Sequence, residues 1–66
     1  MLMESVQIAD DVFAQVNIHY AENPLRITKV ELLYLENNSG DELPDSKWAE
    51  NKLAQIIDDA YLANLR

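Results

Sequence analysis

The sequence predicts an α+β fold: a three-stranded antiparallel β-meander with one C-terminal α-helix packed on one face, in the order βββα. Three observations carry that expectation. Apolar residues alternate with period two from Val12 to Tyr20 and recur, β-branched and aromatic, from Arg26 to Glu36. The period becomes helical after Pro44. Between the two regimes lies Asn37-Asn38-Ser39-Gly40-Asp41, a run of turn-forming residues. At 66 residues the chain has the length of one domain, expected to occupy 1–66.

The first strand is expected over about 2–8, where Leu2, Val6 and Ile8 share one face. Ala9-Asp10-Asp11 then connects it to the next strand. The connection has no glycine, which disfavours a two-residue primed turn. The second strand, about 12–20, alternates strictly: Val12, Ala14, Val16, Ile18 and Tyr20 on one side, Phe13, Gln15, Asn17 and His19 on the other. Pro24 cannot donate to a ladder and marks the break at 21–25.

The third strand is expected over about 26–36. A five-residue loop sets Tyr20 opposite Arg26, and a regular ladder follows from that pair. Val12 then faces Tyr34, Ala14 faces Leu32, Val16 faces Val30 and Ile18 faces Thr28. On the other side Phe13 meets Leu33, Gln15 meets Glu31, Asn17 meets Lys29 and His19 meets Ile27. Like meets like, as a consistent register requires. The helix is expected over about 46–65, capped by Asp45 or Ser46. Ala49, Leu53, Ile56, Ile57 and Ala60 form its apolar stripe, with Trp48 and Tyr61 at the margins and Leu62 on the polar side.

Twelve acids against five bases give a formal charge of −7. Residues 47–66, three acids and three bases, are neutral, so residues 1–46 carry the whole excess. Clustered cations that would release counterions from a phosphate backbone are missing, so direct nucleic-acid binding is not expected. Anionic membranes are disfavoured for the same reason, and no apolar run approaches bilayer length. The Met1-Leu2-Met3-Glu4 start does not read as a signal peptide, and a cytoplasmic protein is the expectation. Without cysteine the chain has neither a disulfide framework nor a thiolate zinc site.

Catalytic and metal chemistry find little support. His19 is the sole histidine, and the regular register gives it Asn17 and Ile27 as neighbours, with no carboxylate to orient it. A single glycine cannot build a phosphate-cradling loop. Setting Gly40 at the sixth position of a calcium loop puts Leu35 at the first and Ser46 at the twelfth, which defeats ligation. No catalytic residue, cofactor or metal is therefore expected, and the chain reads as a non-enzyme.

Two surfaces stand out as candidate contacts. The helix covers one sheet face, so Phe13, Ile27, Leu33 and Leu35 are expected on the other as an apolar partner or dimer surface. Glu31, Glu36, Asp41, Glu42 and Asp45 form a run without a base, a candidate acidic site for a protein with a basic surface. In size and charge the chain resembles accessory proteins of phages and mobile elements, anti-CRISPR and anti-restriction inhibitors among them. That resemblance implies a small module occupying a partner's surface, with carboxylates standing where phosphates would lie. The alternative is a structural or assembly domain that forms a constitutive homodimer through its uncovered sheet face.

Overall fold

The computed structural model describes residues 1–65. It is α+β, as the pattern predicts, with four strands and two short helices in place of three and one. The order is β1 (Leu2–Ala9), β2 (Val12–Ala21), β3 (Arg26–Glu36), β4 (Glu42–Leu43), α1 (Lys47–Ile56) and α2 (Asp59–Leu65). The strands lie in sequence order, β1-β2-β3-β4, in one antiparallel sheet.

Asp10-Asp11 joins β1 to β2 without a left-handed residue, and the pairing shifts at Ile8 to admit the short turn. Glu22-Asn23-Pro24-Leu25 joins β2 to β3, with Asn23 at φ 62° and a cis Asn23–Pro24 bond. Asparagine is among the side chains that best tolerate that φ.

The β2–β3 ladder is the main departure from the predicted register. Ala21 faces Arg26 and Tyr20 faces Ile27, but His19 faces Lys29, so Thr28 is an extra residue. Val16 faces Leu32 whereas Gln15 faces Tyr34, so Leu33 is a second one. Each bulge reverses which side chains point inward. The expected register, with a five-residue loop and Tyr20 opposite Arg26, sends Thr28 and Tyr34 to the core and leaves Ile27 and Leu35 outside. The observed turn is one residue shorter and sets Ala21 opposite Arg26 and Tyr20 opposite Ile27. The bulged strand does the opposite: Leu35 is buried and Ile27 packs against the core, while Thr28 and Tyr34 are exposed. Burying a Leu side chain is worth about 1.5–3 kcal/mol, a gain the bulged strand makes at Leu35.

The helical region also differs. Ser46 caps α1, its hydroxyl accepting from the Ala49 amide at 3.2 Å. The expected single helix then breaks at Ile57, which is extended and donates back to the Leu53 carbonyl. Asp58 starts α2, its carboxylate accepting from the Tyr61 amide at 2.8 Å. Two aspartates in mid-helix gain nothing from the helix dipole, whereas at a new N-terminus they satisfy free amides and face its positive end. Asp59 reaches across to the sheet and accepts the Ile27 amide at 2.8 Å. The break turns Leu62 from the expected polar side into the core, where it is fully buried, and leaves Ala60 exposed.

The core therefore lies between the sheet and both helices: Val6 and Ile8 from β1, Ala14, Val16 and Ile18 from β2, Leu35 from β3, and Ala49, Leu53, Ile57 and Leu62 above them. Glu4 lies on the same face of the edge strand β1. It acts with burial to push the Tyr61 phenol above its ordinary pKa, burial being the larger cause.

Candidate functional site

The loop from Asn37 to Asp41 is held by its own first residue. The Asn37 side-chain oxygen accepts from the amides of Ser39 at 2.9 Å and Asp41 at 3.0 Å, and Gly40 supplies the left-handed position at φ 84°. The Asn38 amide donates to Asp11 Oδ1 at 2.9 Å, which binds this loop to the β1–β2 turn. Asp10 and Asp11 thus join Asp41 and Glu42 at one end of the sheet. In the sequence the two aspartates read only as turn residues. The signal was available, because a meander brings the start of its second strand beside the end of its third.

Glu36 and Glu42 stand directly opposite one another in the β3–β4 pair. Their neighbours Leu35 and Leu43 pair on the core side, so both glutamates belong to the outer face. Like charges placed directly across a ladder are destabilising. Glu36 is partly compensated, its Oε1 accepting from Gln15 Nε2 at 2.8 Å, while the same amide also donates to Ser5 Oγ at 2.9 Å. Among the described residues, no Lys or Arg lies within ion-pair distance of Asp10, Asp11, Glu36, Asp41, Glu42 or Asp45. Asp45 follows β4 as an exposed loop residue just before the α1 cap, and Trp48, 52% exposed, comes three positions later.

Glu31 does not belong with this group. It lies five residues back along β3, roughly 16 Å from Glu36 at the usual strand rise. Its Oε1 lies 3.1 Å from His19 Nε2. The register shift creates this contact, so the expectation that His19 lacks a carboxylate neighbour is corrected. The His19 hydrogen bond is the first cause holding the Glu31 carboxyl below its ordinary pKa, and Lys29 and the Asn17 amide act in the same direction.

The outer apolar surface is smaller than the regular register implies. Phe13 remains there half-buried, opposite Glu36, and Leu33 projects at its bulge, 40% exposed. Tyr34 joins them instead of facing the helix. Ile27 and Leu35, expected on this face, belong to the core side, so as exposed contact residues they are corrected.

A second concavity lies on the core side. Between α1 and β3, Val30, Leu32, Leu53, Ala54 and Ile57 line a groove of about 370 Å³ with Glu50 at its edge. Val30 and Leu32 are only partly buried, since the helices leave β3 incompletely covered. Among the described residues, no group of three or more His, Cys, Asp or Glu side chains is placed to hold a metal ion, and no helix is long and apolar enough to cross a membrane. No family model, curated protein or solved structure matches this chain.

Proposed function

We propose that this chain is a small non-enzymatic protein-binding module that occupies a basic surface on a partner through its acidic end. The observation that carries the reading is the Glu36–Glu42 pair, two carboxylates directly opposite one another and flanked by Asp11 and Asp41, with no Lys or Arg among the described residues in ion-pair reach. Such an arrangement costs stability in the free protein, and a cationic partner relieves that cost. The Asn37 and Asp11 hydrogen bonds hold the loop in place before encounter, which lowers the entropy lost on binding. Phe13 and Leu33 add apolar contact beside the charge, and Trp48 is the kind of exposed aromatic that anchors interfaces.

In this reading the carboxylates stand where nucleic-acid phosphates would lie on the partner. The chain acts as an inhibitor of the kind carried by phages and mobile elements, in the cytoplasm, without cofactor or catalytic residue. The test compares affinity capture from host lysate by the wild-type chain and by Asp41→Lys/Glu42→Lys/Asp45→Lys. A protein retained by the first, released with rising salt and lost with the second is the expected result. Retention of the same proteins by both chains would overturn the electrostatic reading.

A further inference from the structure

The two edges of the sheet differ. On β1, Glu4 points toward the core side, an inward charge of the kind that discourages strand addition. On β3, β4 covers only Leu35 and Glu36, and Asp59 occupies the Ile27 amide. Between those points the edge from Thr28 to Tyr34 has no strand beside it. The groove lined by Val30, Leu32, Leu53, Ala54 and Ile57 borders this stretch on the core side. Backbone groups and apolar surface are therefore left open along the same few residues.

The sequence of that edge is self-complementary. An antiparallel pair of identical strands that keeps both cores on one side has a two-fold axis through a residue paired with its own copy. An axis at Lys29 or Glu31 sets like charges against each other. An axis at Val30 sets Lys29 against Glu31 of the second copy, and Glu31 against Lys29, both pairs on the outer face. Val30 meets Val30 on the core side, Leu32 meets Thr28, and the two grooves join across the axis. The bulges at Thr28 and Leu33 confine the regular ladder to residues 29–32, a stretch that contains Val30 and both members of the Lys29–Glu31 pair.

We infer that the occupant of the β3 edge is a second copy of this chain, added antiparallel about Val30 with reciprocal Lys29–Glu31 pairs. The high negative charge does not oppose the arrangement. The acidic ends, six residues from the axis in each copy, are sent in opposite directions and lie roughly 40 Å apart at the usual strand rise. That is several Debye lengths at physiological salt, so their repulsion is screened. The interface differs from the outer sheet face that the amphipathic pattern suggested, and it stands independently of the acidic-end reading.

Sedimentation velocity on the full chain, from micromolar to submillimolar concentration, tests the inference. The wild type is expected to dimerise. Lys29→Glu and Glu31→Lys each turn two attractive pairs into repulsive ones and should weaken the dimer by about tenfold or more. The double variant Lys29→Glu/Glu31→Lys exchanges the charges and should restore it to within about threefold. Hydrogen exchange on the wild type reads the same contact without mutation, since amide protection within 29–32 should rise with protein concentration. A monomeric wild type, a dimer indifferent to both single variants, or a double variant no tighter than the singles would overturn the inference.

Discussion

Leu35 lies directly opposite Ala14 in the β2–β3 ladder, and both are sealed from solvent, at 3% and 0% exposure. Two residues away Leu33 sits unpaired at a bulge and is 40% exposed. In an unbroken strand these two leucines would share a face and a similar environment. The bulge separates them, and their mutational costs should separate too. Leu35→Ala is expected to destabilise by about 2–5 kcal/mol, whereas Leu33→Ala should fall within about 0.5 kcal/mol of wild type. Urea denaturation of both variants checks this, with equal losses as the contrary result.

The three long strands of the sheet are legible in the sequence, because strict alternation from Val12 to Tyr20 and the Pro24 and Gly40 breaks leave few other readings; the two-residue β4 is too short to carry a periodic signal. The register is not legible. Pairing Tyr20 with Arg26 made every rung chemically sensible, yet the fold gains more by inserting Thr28 and Leu33 as extra residues. Local rules could not weigh two bulges against the burial of Ile27 and Leu35, since that balance depends on where the helices lie. The acidic site was legible in composition and only half legible in place. Glu36, Asp41 and Glu42 lie together at one end of the sheet with Asp11, while Glu31 lies elsewhere on the face beside His19.

The helix break has its own signature in Asp58 and Asp59. Asp58→Ala removes the carboxylate that accepts the Tyr61 amide and should cost about 1 kcal/mol, as loss of an N-cap does. Leu62→Ala, at a fully buried position, should cost about 2–5 kcal/mol. Under a continuous helix Leu62 would be a surface residue and its truncation nearly silent. Thermal unfolding monitored by circular dichroism distinguishes the two cases.

The Glu31–His19 contact gives a pH signature. The Glu31 carboxyl titrates below its ordinary value, so its contribution to stability is present above the unfolded pKa near 4.5 and is lost as pH falls through the lower folded value. Carbon-detected NMR titration should find Glu31 depressed, and His19→Ala should move it upward, since the His19 bond is the largest cause of the shift. An unchanged Glu31 midpoint in that variant would show that Lys29 and Asn17 suffice.

The placement of the acidic face, the core and the open edge follows from the four-residue turn that sets Ala21 opposite Arg26, together with the two bulges in β3. Cross-strand NOEs in the uniformly labelled protein test that point most directly, by showing which backbone protons lie opposite one another. The structure requires contacts between Ala14 and Leu35, between Val16 and Leu32, and between Tyr20 and Ile27. Contacts of Ala14 with Leu32, Val16 with Val30 and Tyr20 with Arg26 would mean a regular ladder, and would contradict the account.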